Sequence, residues 1–311
     1  MVSTEPKPVG VDRGAGSGRF ISGVLPILLA GLLWGSTGTA ASFAPAGASA
    51  LSVGAANMGI GGLVLLAVAG RSVLPVLRGG ARAWRTVLGG AAAVAVYPLA
   101  YYTSMHLTGI ATGTVVTVGS TPAFTKLCEV IGERSLPHTR WVGASAVSTA
   151  GVALVVAGQR HPADGPHGAG ETAVGVALGL LAGAAYAVYS YSAGRLIRRG
   201  ASSRSVMGVM FGLGGLMLVP VLVVTGGPLL STHKGLLVAG YLALVPMALA
   251  YLLFGRGLGR VTASTAATLI LVEPVAAAVL SVVVAGEHLD PLGWAGIVLV
   301  GVGLLILDDR E

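Results

Sequence analysis

Apolar residues run along the chain in ten blocks, at 21–43, 47–69, 87–106, 110–131, 139–158, 173–194, 205–225, 235–254, 262–285 and 290–307. Each is close to the ~20 residues with which an α-helix crosses the hydrocarbon core of a bilayer. The alternation of apolar and polar positions that marks a half-buried strand is nowhere sustained. The pattern predicts an all-α membrane protein of ten transmembrane helices, with short connections except at 71–86 and 159–172. The first block is longer than the ~7–15-residue core of a signal peptide, so it is expected to be retained as a helix. Residues 1–19, rich in Pro, Gly and charge, are expected to form a disordered cytoplasmic tail.

Composition agrees with a polytopic chain: 54% of the 311 residues are hydrophobic and 10% charged, against roughly 25% charged in soluble domains. A net charge of +7 would suggest nucleic acid if the basic groups formed a surface patch. They fall instead in the short segments between blocks, where they report topology, and no nucleic-acid partner is expected. With the N-terminus inside, 16 of the 19 Lys and Arg residues lie in inner segments. Arg160 and Lys234 lie outside, and Lys126 lies within a block. Both termini are therefore expected in the cytoplasm, with the chain in the plasma membrane. A single cysteine, Cys128, excludes an intramolecular disulfide and reads as a small packing residue.

The two halves echo each other. "STPAFTKLCEVIGERSLPHTRWVG" in the first is answered by "LVEPVAAAVLSVVVAGEHLDPLGWAG" in the second. Pro122 pairs with Pro274, Gly132-Glu133 with Gly286-Glu287, and Trp141 with Trp294. The first repeat spans 20–158 and the second 173–307, joined by an external linker at 159–172 and followed by a cytoplasmic C-terminus at 308–311. An odd number of spans per half starts the second repeat on the opposite side of the membrane. The repeats are thus inverted, the geometry of alternating access, in which the halves exchange shapes.

These residues resemble the drug/metabolite transporter superfamily, EamA type. The likeness is carried by "LLWGST" at Trp34-Gly35, the Ala-Tyr pairs at Tyr101 and Tyr251, "TAST" leading to "VEP", the mid-helix prolines and the two Gly-Glu helix ends. It covers about 20–307, nearly all but the tail. The spacing from Pro122 to Gly132 is two residues shorter than that from Pro274 to Gly286, so the fourth helix departs from the pattern. The resemblance implies a secondary exporter of small organic metabolites. It directs Trp34, Ser36 and Asn57 toward a central cavity and sets helices five and ten outside it. Gly143, Ser148 and Gly151, with Gly293, Gly296 and Gly301, suit close packing of those two helices.

Candidate chemistry centres on Glu273, about halfway along the ninth block. A charge there costs about 2.5–3.5 kcal/mol even on lenient insertion scales. Burial disfavours the charged form, so the group could exchange a proton or pair with an ammonium on cargo; a packing role for a protonated Glu is the plain alternative. The first half has Thr121 in its place. Proline deletes a backbone donor, so Pro122 and Pro274 are expected to free the carbonyls of Val118 and Ile270, giving matching breaks or hinges. Lys126 and Glu129, at i and i+3, can form a gate or an ion pair. Tyr97, Tyr101, Tyr186 and Tyr189 are cavity candidates, while Tyr102, His106 and Tyr191 suit the interfacial belt. Glu133 and Glu287 read as helix-end or gate contacts. His161, Asp164 and His167 make a solvated turn, and no metal or other cofactor is expected.

Protease and zinc-hydrolase signatures are missing from the blocks, and an inverted repeat argues against a channel. The sequence thus points to a carrier, not an enzyme. Its cargo would be amino acids or related amines, moved by alternating access with protons as a coupling ion. Efflux of hydrophobic or cationic drugs is the second reading and an uncoupled facilitator the third. Cargo, lipid bilayer and protons are the expected partners of a monomer or homodimer.

Overall fold

The computed structural model describes residues 13–108, 110–158, 169–285 and 288–307. Among them the chain forms ten helical rods and no strand. These are α1 (Arg13–Ser42), α2 (Ala50–Leu77), α3 (Ala81–Thr108), α4 (Ile110–Glu133) and α5 (Thr139–Ala157). They continue with α6 (Ala169–Arg198), α7 (Ser203–Thr225), α8 (His233–Leu258), α9 (263–285) and α10 (Pro291–Ile306). Seven are both long and apolar enough to cross a membrane. Helix α10 has only 16 residues. Helices α3 and α4 have the length, at 28 and 24 residues, but are more polar. They carry the tyrosine, threonine and lysine candidates, and that chemistry dilutes their hydropathy.

Two expected linkers are shorter than the apolar pattern implied. Helix α1 begins at Arg13, inside the segment expected to be a disordered tail. Most of 71–86 is helical, because α2 runs on to Leu77 and α3 starts at Ala81. Backbone hydrogen bonding continues past the apolar residues that mark a span, so charged turns extend the rods into the interface. The tail at 1–12, the linker at 159–168, the pair Gly286-Glu287 and the C-terminus at 308–311 lie outside the described residues.

Helix contacts come in pairs when each helix of one half is exchanged for its counterpart five places along. Helix α3 packs on α6 and α8 on α1; α4 packs on α6 and α9 on α1. Two contacts map onto themselves, α2 with α7 and α5 with α10. The α5–α10 contact is backbone-close. A Cβ on Gly151 would meet Val300 N at 2.7 Å and Gly296 O at 2.8 Å, while one on Gly143 or Gly301 would meet nothing within 4 Å. Only some of the expected small residues therefore make the seam.

The proline pair behaves asymmetrically. Helix α4 runs unbroken through Pro122, which corrects the expected break there. The Val118 carbonyl that the proline frees accepts the Thr121 hydroxyl at 2.7 Å. Helix α9 does break, after Leu269 at Ile270–Leu271, and resumes at Val272. There the Ile270 carbonyl accepts the N–H of Glu273 at 2.8 Å. Each carbonyl thus has a protein donor in place of the one its proline removes.

Candidate functional site

A cavity of about 540 Å³ lies at the centre of the bundle, within the ~300–1,000 Å³ range of small-molecule sites. Its wall combines the C-terminal parts of α1, α3 and α9, the N-terminal parts of α2 and α4, and the middle of α6 and α8; Val156 at the end of α5 also reaches it, which corrects the expectation that the fifth helix lies wholly outside. Exposed Gly38 and Ser42 form part of its rim, so it opens at that end of the bundle.

Aromatic rings make most of the inner wall. Tyr97 stacks on Tyr101 at 5.7 Å and meets Tyr189 edge-on at 6.1 Å. Tyr186 and Tyr189 lie 5.0 Å apart, and the Tyr189 and Tyr251 hydroxyls share a hydrogen bond of 3.1 Å. Trp34 tilts against Tyr251 at 4.8 Å. The next residue, Gly35, brings α1 flush with α9, because a Cβ there would lie 2.9 Å from the Glu273 carbonyl. The Trp-Gly pair thus has two jobs, an aromatic wall and a close approach.

Among the described residues Glu273 is the only charged group in the lining, which includes no Lys, Arg or His. It is half-buried, and its carboxylate has no hydrogen bond or ion pair among the described residues. Three further lining residues carry buried polar atoms without a hydrogen-bond partner among the described residues, Trp34 Nε1, Asn57 Oδ1 and Tyr186 Oη. Asn57 sits in a π-helical turn, Ala56–Ile60, and a second such turn, Ala243–Leu249, brings Pro246 and Met247 to the wall. Wide turns of this kind re-aim side chains and loosen the backbone ladder, and they recur at functional sites.

Trp34, Asn57, Tyr97, Tyr101, Thr121, Tyr186, Tyr189 and Glu273 are brought together as lining residues, with Pro274 beside them. Ser36 is elsewhere: its hydroxyl joins the Leu33 carbonyl at 2.7 Å and Tyr241 at 2.9 Å, tying α1 to α8. Tyr102 lines the cavity, not the interfacial belt. Tyr191 is buried under Gly132 at the end of α4, and His106 is exposed. Tyr251, named above only for its Ala-Tyr pair, and the methionines Met58, Met105 and Met247 were not among the cavity candidates. Tyr251 could have been, as the repeat counterpart of Tyr101.

Lys126 and Glu129 are not in the cavity. Lys126 Nζ lies 3.3 Å from Glu129 Oε2, with side chains only 7% and 2% exposed, and 5.5 Å over the Trp141 ring. Glu129 also accepts the Ser264 N–H at 2.8 Å and its hydroxyl at 2.7 Å, so it holds the first turn of α9. Beside it Arg198 of α6 pairs with Glu133 of α4 at 2.7 Å. These contacts close the end of the bundle opposite the cavity mouth. Among the described residues no group of three or more His, Cys, Asp or Glu could hold a metal. His161, Asp164 and His167 lie outside them.

Comparison with known proteins agrees with a carrier. The chain is 34% identical over 282 residues to an uncharacterized transporter of Bacillus subtilis (strain 168), YwfM, covering 90% of this chain and 92% of that one. An uncharacterized transporter of Clostridium kluyveri is 28% identical over 165 residues, 51% of each chain. A crystal structure covering 92% of this chain and 96% of its own superposes with a TM-score of 0.76 at 21% identity, a likeness of fold. The model of the EamA-like transporter family matches twice, at residues 21–157 and again at 173–307. Matched by that model in each half, this integral multi-pass membrane chain belongs to the EamA-like transporter family.

Proposed function

We propose that the chain is a secondary carrier that exports a small organic amine by alternating access, coupled to protons through Glu273. One observation carries this reading: a single unpaired carboxylate faces a central cavity otherwise walled by aromatic and neutral groups. A carboxylate at this depth needs a proton or a cationic partner, and exchanging one for the other is how a carrier couples them. Aromatic faces attract an ammonium by about 0.5–2 kcal/mol.

The lining also bears on the cargo. A zwitterionic amino acid would bring a carboxylate into a cavity whose described lining offers no Lys, Arg or His to meet it. Amines with an apolar body therefore fit better than free amino acids, and this observation favours the cationic-drug alternative to the same extent. Ten crossings in two inverted five-helix repeats are supported by the pairing of helix contacts on exchange of the halves. With the Arg-rich ends of α2, α6 and α8 in the cytoplasm, the cavity faces outward and the Glu129 and Glu133 contacts close the inner side.

The test is flux in proteoliposomes for a panel of primary amines and their parent amino acids, with and without a pH gradient. Amines should move faster under the gradient, and Glu273→Gln should lose the response to it. Gradient-dependent flux that survives in Glu273→Gln would remove this residue from coupling. Faster movement of the amino acids would reverse the cargo assignment.

A further inference from the structure

The arginines at the end opposite the cavity mouth are not evenly spread. Arg82 at the start of α3, with Arg195 and Arg199 at the end of α6, line one pocket of about 770 Å³. Among the described residues its wall includes these three arginines and no Asp or Glu. None of the three has a salt bridge among the described residues, and the nearby acid, Glu133, is already taken by Arg198 at 2.7 Å. The hydroxyls in the wall are also engaged. Ser202 accepts the Ser205 N–H at 3.1 Å as the cap of α7, and Ser205 donates to the Ser72 carbonyl at 2.5 Å. The pocket is thus a concentration of unmatched positive charge with apolar Val76 and Leu196 at its side.

Its position narrows what can fill it. The ends of helices in a membrane-spanning bundle lie at the level of the lipid headgroups, and a guanidinium fork matches phosphate oxygens two at a time. Basic pockets between helices at this level suit acidic headgroups. We propose that this pocket binds the phosphate of an anionic phospholipid headgroup. The α2–α3 turn belongs to the first half and the α6–α7 turn to the second, so a bound headgroup bridges the two halves where they are closed. Simple control of topology would need positive charge at this end but no shared pocket.

The experiment follows thermal unfolding of the full-length protein in neutral detergent. It is titrated with dioctanoyl phosphatidylglycerol, dioctanoyl phosphatidylcholine or inorganic phosphate. Phosphatidylglycerol should raise the midpoint temperature, and the other two should not at equal concentration. Combining Arg82→Gln, Arg195→Gln and Arg199→Gln should weaken the phosphatidylglycerol response about fivefold or more per arginine. Combining Arg71→Gln, Arg78→Gln and Arg85→Gln removes the same charge outside the pocket and should leave the response intact. Should the first combination not fold, the exposed Arg199→Gln alone should still weaken it about fivefold. Equal weakening by both combinations, no weakening by Arg199→Gln, or an equal response to phosphatidylcholine would overturn the proposal. An equal response to inorganic phosphate would reassign the pocket to a soluble anion.

Discussion

Thr121 and Glu273 occupy matching places before Pro122 and Pro274, and the two helices respond differently to the same lost donor. A hydroxyl can donate to the freed carbonyl, and Thr121 does so at 2.7 Å, which carries α4 through its proline. An ionised carboxylate has no hydrogen to give. Helix α9 instead tightens, with the Glu273 N–H on the Ile270 carbonyl, and breaks. While ionised, Glu273 therefore cannot make the repair that Thr121 makes in the other half. Burial makes a different demand of Lys126. Among the described residues its acidic partner is Glu129, so Glu129→Gln strands a buried ammonium, a loss of about 3–5 kcal/mol. The same change in a Lys126→Met background should cost much less, because glutamine still accepts the Ser264 N–H. Thermal unfolding of the two single variants and the double variant checks this, and strictly additive losses would show that the pair itself contributes nothing.

Among the elements, the seam of α5 and α10 is the most exacting. Gly151 and Gly296 face each other so closely that a Cβ on Gly296 would lie 2.5 Å from Val155 N. Gly151→Leu should force the helices apart and destabilise the protein by about 1–3 kcal/mol, read as a lower unfolding temperature. Gly301→Leu, with open space around it, should not lower that temperature. Similar losses in both would mean that the described seam is not what holds these helices. The sequence ranked these glycines alike because polar residues in α5, such as Ser145 and Ser148, are themselves buried and α10 is apolar throughout, so no amphipathic stripe marks the buried side. The π-helical turns in α2 and α8 were also illegible, since one extra residue in a turn leaves no mark on an all-apolar pattern. Tyr102 was assigned to the belt for a related reason: distance from a block's end does not reveal which way a helix faces.

At the scale of the whole molecule, the mouth of the cavity and the ion-paired end lie at opposite ends of the bundle. Positive charge clusters at the closed end, as the Arg-bearing ends of α2, α6 and α8 show. Orientation can be read by cysteine labelling in a Cys128→Ala background. An impermeant maleimide should reach Lys234→Cys from outside intact cells and Arg78→Cys only after permeabilisation. Equal labelling of both from outside would sink the ten-crossing arrangement.

Membrane class, the helical fold and the doubled family pattern were legible because they rest on residue type and spacing. Ten apolar blocks can only be satisfied as helices in a bilayer, where every backbone group must find its partner within its own segment. The repeat survives as an ordered set of prolines, Gly-Glu pairs and tryptophans. Three-dimensional packing decided the rest: that Ser36 is a tether, that Lys126 and Glu129 lock the first turn of α9, and that only one of the two prolines breaks its helix. The first two depend on which group of the other half arrives within hydrogen-bonding reach, and the third on whether the residue before the proline can donate to the freed carbonyl. Pairings across 135 or 205 positions, such as Glu129 with Ser264 and Ser36 with Tyr241, have no local signature in the chain.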